Sequence, residues 1–338
     1  MTAVAGTVLC TLALPEPGPA RLAAVAELRV MGRIPTVTEL QAALREGVDV
    51  LCPQLRDRID VDVLDAGRPR LRAVCTYAVG YDNVDVSAAT ARGVIVANTP
   101  GVLTDATADC AMGLILAAAR RLCEGDRRVR QGRFSGWEPE FLLGLDLQDA
   151  LLGVVGFGRI GQAVARRALG FSMRVAAAEH SSPRPVADEL GERVRVMPLP
   201  DLLSEADVIS LHLPLTAATH HLIDATALRR MKPTAVLINT ARGAVVDEAA
   251  LTVALREGWI AGAGLDVYED EPRLAPGLVD CDTAVLSPHL GSATVRTRAA
   301  MAELCADNAV AALAGRRPRH AVNPEAWASP PPPLIGGR

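Results

Sequence analysis

Leu152-Gly153-Val154-Val155-Gly156-Phe157-Gly158-Arg159-Ile160-Gly161 joins an aliphatic run to three glycines spaced GxGxxG, and an amphipathic helical pattern runs on from Ile160 to Ala168. Strand, glycine turn and helix in that order fit a nucleotide-binding βαβ unit. Gly156 makes the tight turn, Gly158 lets backbone approach a pyrophosphate, and Gly161 permits close helix-to-strand packing. The helix start at Arg159 and Ile160 then offers free N–H groups to the phosphates. The next strand pattern, Val175 to Ala178, ends at Glu179, 18 residues past Gly161. A carboxylate there reads the ribose 2′-hydroxyl and repels a 2′-phosphate, so the expected cofactor is NAD. His180, Ser181, Ser182 and Arg184 stand close by and could receive a 2′-phosphate instead. A glycine turn beside an incidental surface glutamate is the ordinary reading, and it requires four elements to coincide by chance.

Outward from this unit, short aliphatic runs alternate with helical patterns along the chain, as in an α/β protein with parallel sheets. Gly6 to Leu14, Val48 to Cys52, Leu71 to Thr76 and Val94 to Ala97 read as strands of a first block, with a helix over Val37 to Arg45. One long helical pattern covers Leu103 to Arg130, after the turn pair Pro100-Gly101. The second block reads as strands 151–156, 173–178, 207–211, 234–239, 261–265 and 283–286, with helices 159–169 and 247–257. A last helical pattern covers Val295 to Ala314. The tail, Ser329 to Arg338, holds four consecutive prolines and is expected to be disordered or loosely draped.

The 338 residues are enough for two domains, and half of them are hydrophobic. Aromatic residues make up only 3%, so Ala, Val, Leu and Ile must fill the cores. With 35 basic against 39 acidic residues the net charge is −4. That balance offers nothing for nucleic acid or an anionic membrane surface to bind. Lys232 is the only lysine, so Schiff-base chemistry has one candidate, without a supporting motif. No apolar stretch reaches the ~18 residues of a spanning helix. The seven cysteines form no CxxC pair and no Cys/His ligand spacing, so they are expected to be reduced thiols in a cytoplasm, with no metal site.

Three polar residues follow strand patterns downstream of the glycine loop, where open α/β sheets bind ligands. Arg242 lies in Ile238-Asn239-Thr240-Ala241-Arg242-Gly243, Glu271 in Asp266-Val267-Tyr268-Glu269-Asp270-Glu271-Pro272, and His289 in Ser287-Pro288-His289-Leu290-Gly291-Ser292. Singly, each is readily a surface ion pair, a turn acid or a satisfied loop histidine. Together they supply an anion clamp, an acid/base and its orienting carboxylate, the set needed for hydride transfer to a 2-keto acid. A carbonyl receiving hydride becomes an incipient alkoxide and needs a proton from a group titrating near neutrality, which histidine does unperturbed.

From about residue 6 to 325 the chain resembles the D-isomer-specific 2-hydroxyacid dehydrogenase family. The stretches that carry the resemblance are Val79 to Asp85, Asn98 to Pro100, Thr104 to Asp109, Gly156 to Gly161, Asn239 to Asp247, Gly264 to Pro272 and Pro288 to Thr294. Trp137 and Val322-Asn323-Pro324-Glu325 add a likeness to its glyoxylate and hydroxypyruvate reductases. The resemblance implies two Rossmann-like or flavodoxin-like parallel-sheet domains: a discontinuous substrate domain, 1–100 with 288–338, and an inserted NAD-binding domain, 101–287. The active site would lie in the cleft. It implies a homodimer in which the segment around Trp137 reaches the partner. Carried over by position, His289 is the acid/base, Glu271 holds its imidazolium, and Arg242 binds the carboxylate of a small anionic substrate. The backbone at Val79 and Gly80 holds the other carboxylate oxygen. Thr104, Arg159, Ile160, Pro214, Thr219, Thr240 and Asp266 would line the cofactor.

Other readings stay open on the same residues. Gly136-Trp137-Glu138-Pro139-Glu140-Phe141 and Glu179 resemble phosphite- and phosphonate-oxidising relatives, although Val79 stands where those carry a lysine. A D-3-phosphoglycerate dehydrogenase and a non-catalytic NAD-sensing protein also share the fold. Arg56, in Pro53-Gln54-Leu55-Arg56-Asp57-Arg58, stands where relatives that reduce glyoxylate commonly carry a small hydroxyl residue. It is expected either to bind a second anionic group of the substrate or to pair with Asp57 or face solvent.

Overall fold

The computed structural model describes residues 6–178, 190–328 and 331–335. Its elements run β1 (Thr7–Cys10), α1 (Gly18–Ala23), β2 (Glu27–Val30), α2 (Val37–Arg45), β3 (Val50–Cys52), α3 (Val61–Ala66), β4 (Ala73–Cys75), α4 (Val86–Ala91) and β5 (Ile95–Ala97). There follow α5 (Thr104–Ala119), α6 (Leu122–Arg130), β6 (Leu151–Val155), α7 (Arg159–Gly170), β7 (Arg174–Ala178), β8 (Val194–Met197), α8 (Leu199–Glu205) and β9 (Val208–Leu211). The chain closes with α9 (Ala225–Arg230), β10 (Val236–Asn239), α10 (Glu248–Arg256), β11 (Gly262–Leu265), β12 (Ala284–Leu286) and α11 (Val295–Leu313).

Two compact units result, Met1–Leu103 with Thr294–Arg338, and Thr104–Ala293. The expected boundaries were 100/101 and 287/288, so the difference carries His289 and its loop into the second unit. The first unit holds an all-parallel sheet ordered β2-β1-β3-β4-β5, a flavodoxin-like sequence of strands. Leu9, Leu51, Val74 and Val96 bury one side of it with Leu40 and Leu44 of α2.

The second unit holds seven parallel strands ordered β12-β11-β10-β9-β6-β7-β8. The chain runs outward from β6 to β8, returns, and runs outward again from β9 to β12. The switch of direction therefore falls between β6 and β9, where ligands of such sheets bind. Both faces are covered: Ile115, Val164 and Leu152 lie in one apolar cluster, Leu228, Leu251 and Ile209 in the other. Strands buried on both faces read as continuous aliphatic runs. β2 and β8 are edge strands with exposed Glu27, Val30, Arg195 and Val196, and their mixed sequences carry no such signal.

Two local expectations are corrected. The single helix over Leu103 to Arg130 is broken at Arg121, which adopts φ 51°. The carbonyl of Ala119 at the end of α5 accepts the N–H of Leu145 instead of continuing the helix. α5 packs on α7, β10 and β11 and is apolar almost throughout, whereas α6 is charged, so the break turns the polar part outward. In the tail, the described residues 331–335 are tied down: the Pro332 carbonyl accepts from Arg72 Nη1 at 2.9 Å, and the Leu334 N–H donates to Leu313. Proline-rich backbone has few donors but keeps its carbonyls, and here an arginine takes one up.

Candidate active site

The glycine loop follows β6 in the form the sequence predicts. Gly156 has φ 97°, and a Cβ there would lie 2.5 Å from the His212 carbonyl oxygen. A Cβ on Gly161 would lie 2.3 Å from the Gly156 oxygen, so glycine is required at both positions. Gly158 is the N-cap of α7 and supplies no side-chain cap, which leaves the first N–H groups facing outward over the loop. Arg159 is exposed and Ile160 half-buried in the first turn. A pyrophosphate fits this cradle. Glu179, His180, Ser181, Ser182 and Arg184 lie outside the described residues.

The loops after β9, β10, β11 and β12 stand along the same sheet edge. After β9, Thr219 Oγ1 donates to the Pro214 carbonyl at 2.7 Å and closes the turn 214–219. Thr240 Oγ1 is 3.4 Å from His212 Nδ1, whose other ring nitrogen lies 2.8 Å from Ser210 Oγ. Burial pulls His212 down to about 3, so this ring stays neutral.

Arg242 follows β10 in extended backbone, held from both sides. Asn239 Nδ2 donates to the Arg242 carbonyl at 2.9 Å, and Asn239 Oδ1 accepts from Ala241 N–H at 3.0 Å. Gly243 lets the loop after β11 pass, since a Cβ there would lie 1.8 Å from the Tyr268 carbonyl carbon.

Glu271 comes from that second loop. Its Oε1 accepts the Tyr268 N–H at 3.1 Å, and its two oxygens lie 3.2 and 3.0 Å from His289 Nδ1. A carboxylate only accepts, so Nδ1 carries the proton and Nε2 is left for chemistry. Burial works against the Glu271 charge. The hydrogen bond and charge of His289, then the Tyr268 N–H and Arg242, outweigh it and hold the carboxyl below its ordinary value.

His289 has φ 56°, a left-handed backbone imposed from outside. Its N–H donates to the Asp266 carbonyl at 2.9 Å, and the Asp266 carboxylate accepts from Leu290 N–H at 2.6 Å, Gly291 N–H at 2.7 Å and Ser287 Oγ. Asp266 is 1% exposed. It was expected to line the cofactor; its carboxylate is taken up in shaping the histidine loop.

Sequence reasoning missed Glu248, 5% exposed, whose two oxygens accept the Glu269 and Ala275 N–H groups at 2.8 Å each and so brace the loop bearing Glu271. Nothing near Glu248 in the sequence signals this, because its partners lie more than 20 residues on. Lys232 is structural: its Nζ is 2.7 Å from Asp207, which also accepts the Leu151 N–H.

Other expected residues belong to other segments of the chain. Thr104 opens α5, and Trp137 is 85% exposed on the segment after α6. In the other unit, Val79 and Gly80 form the turn after β4, with the Val79 carbonyl accepting from Asn98 Nδ2 at 2.8 Å. Arg56 is exposed in the turn after β3 and makes no ion pair among the described residues. Asp57 is buried and accepts from Thr11 Oγ1 and Gln54 N–H, so the pairing of Arg56 with Asp57 is not what the structure contains.

Known proteins resemble this chain in sequence and in fold. The family description "D-isomer specific 2-hydroxyacid dehydrogenase, NAD binding domain" matches residues 112–291. A glyoxylate reductase of Thermococcus onnurineus is 52% identical over 282 residues, 82% of this chain and 84% of that one. A crystal structure of a Thermus thermophilus protein superposes with a TM-score of 0.86 at 46% identity, covering 94% of this chain and 99% of that one. An NADPH-dependent glyoxylate/hydroxypyruvate reductase of Sinorhizobium meliloti, solved with NADP and malonate, gives 0.84 at 35% identity, covering 99% of each. With its glycine cradle at the switch point and a histidine–glutamate pair on the loops after β11 and β12, the chain belongs to the D-isomer-specific 2-hydroxyacid dehydrogenases, oxidoreductases with a domain for a nicotinamide dinucleotide.

Proposed function

We propose that the protein interconverts a small 2-keto acid such as glyoxylate or hydroxypyruvate with its D-2-hydroxy acid, using NADH. The observation that carries this reading is the Glu271–His289 pair at 3.0 Å, with Nδ1 committed and Nε2 available, beside the half-buried Arg242. The bound nicotinamide supplies the hydride. Arg242 binds the substrate carboxylate and polarises the neighbouring carbonyl, His289 Nε2 delivers the proton to the developing alkoxide, and Glu271 stabilises the imidazolium that does so. In the reverse direction His289 accepts the hydroxyl proton. The test is loss of NADH absorbance across a panel of 2-keto acids, with phosphite and phosphonates assayed in the oxidative direction. Turnover confined to phosphite or phosphonates, or none at all, overturns the proposal.

Glu271→Gln keeps a hydrogen-bond acceptor beside Nδ1 but removes the charge that favours the imidazolium. Since reduction needs that protonated form, the alkaline limit of the pH–kcat/KM profile should move to lower pH. An unchanged profile removes Glu271 from proton transfer.

Preference for NAD over NADP rests on Glu179 in the sequence, and the Sinorhizobium relative is named as NADPH-dependent. Glu179→Ala should shift the NADPH-to-NADH ratio of kcat/KM by about tenfold or more, since a hydrogen bond to a charged group contributes ~1.5–3 kcal/mol. If the unmodified enzyme already prefers NADPH, the ribose-reading argument fails and Arg184 or His180 becomes the anion site. Exposed Phe134, Trp137 and Leu143 support a dimer in which this segment is covered.

A further inference from the structure

We propose that His220, His221 and Glu269 form a binding site for a divalent cation of the zinc class, distinct from Arg242, Glu271 and His289. One donor atom from each of the three lies within 4.8 Å of the other two. Three backbone features bring them together. The turn 214–219 ends in His220, whose N–H donates to the Thr216 carbonyl at 2.9 Å. His221 then adopts φ 51°, with its N–H on the Ala244 carbonyl at 2.8 Å. Neighbouring side chains in extended backbone point to opposite faces. Here the left-handed residue sets both rings on one side, with centroids 4.0 Å apart and planes 30° apart. Glu269 is presented from the opposite loop by buried Glu248, and its Oε1 is 2.8 Å from His221 Nε2.

Two imidazole nitrogens and one carboxylate oxygen suit zinc and its neighbours in the first transition row. Zinc–ligand bonds of ~2.0–2.2 Å put tetrahedral donors roughly 3.3 Å apart. His221 and Glu269 are already closer than that, and exposed His220 has the freedom to swing in. A cation would replace the His221–Glu269 hydrogen bond, keep water in its remaining coordination, and tie the turn 214–221 to the loop 266–272. An ordinary His–Glu ion pair explains two of the residues and needs nothing from His220. The Cys/His spacing of the sequence gives no hint of the site, because Glu269 is 48 residues from His221.

The experiment titrates Zn2+ alone into untagged, chelator-treated full-length protein, followed by calorimetry and by the thermal midpoint. One Zn2+ per chain and a raised midpoint are expected, because a ligand bound to the folded state stabilises it. His220→Ala and Glu269→Gln should each weaken binding by about tenfold or more. Glu205→Gln, a remote acid paired with Arg195, should leave it unchanged. No binding by the unmodified protein overturns the proposal. So does binding that survives both substitutions, which would place the cation on the cysteines or elsewhere.

Discussion

His289→Ala should lower kcat by ~10²–10⁴-fold while leaving NADH affinity close to that of the unmodified enzyme. The ring can deliver a proton to an alkoxide from Nε2, because Nδ1 is committed to Glu271 at 3.0 Å. Nucleotide binding depends on the glycine loop and the start of α7, whereas His289 stands on the loop after β12, held by Asp266 and Glu271. Alanine carries a second effect, since φ 56° costs an alanine roughly 1–2 kcal/mol that could disturb the loop. His289→Asn separates the two, because asparagine tolerates the left-handed region. Both variants should lose turnover and retain cofactor binding by fluorescence titration. Near-normal kcat in the asparagine variant would falsify the acid/base assignment.

The glycine cradle and the three polar residues were legible because each follows an aliphatic run: β6, β10 and β11 are buried throughout, as strands covered on both faces are, and β12 at the sheet edge is half-buried but still aliphatic. Position at a strand end then does the rest: β10, β11 and β12 are neighbours, so Arg242, Glu271 and His289 converge although up to 47 residues separate them. α2 was legible to the residue as an amphipathic pattern, and in the structure Thr36 and Glu39 form a reciprocal cap at its start. Illegible features depend on partners distant in sequence. The bend at Arg121 is stabilised by Leu145 reaching back to Ala119, and edge strands β2 and β8 are too polar to stand out from loop. Asp266 looks in sequence like one more residue at a strand end. Only the fold shows its carboxylate taking two N–H groups and a hydroxyl from the histidine loop 21 to 25 residues on. Glu248 and the His220–His221–Glu269 cluster escape notice for the same reason.

For Arg242→Lys a loss of ~10²-fold in kcat/KM is expected with 2-keto acids, about 2.7 kcal/mol of transition-state stabilisation. The charge survives the change, so the loss measures geometry. The guanidinium already donates from Nη1 to the Ala241 carbonyl at 2.7 Å, which fixes its plane. A guanidinium offers its N–H groups in a rigid fork matched to a carboxylate, a geometry that an ammonium on a flexible stem cannot reproduce. Proximity to Glu271 matters as well, since Arg242 helps hold that carboxyl ionised. A lysine placed differently would loosen the acid/base pair in addition to the clamp. Neutral aldehydes separate these contributions. A variant that fails with glyoxylate but handles glycolaldehyde as the unmodified enzyme does has lost the carboxylate clamp alone. Equal losses on both substrates would mean that Arg242 acts by supporting the loop and the Glu271 charge, and the carboxylate would then have to be bound by another group.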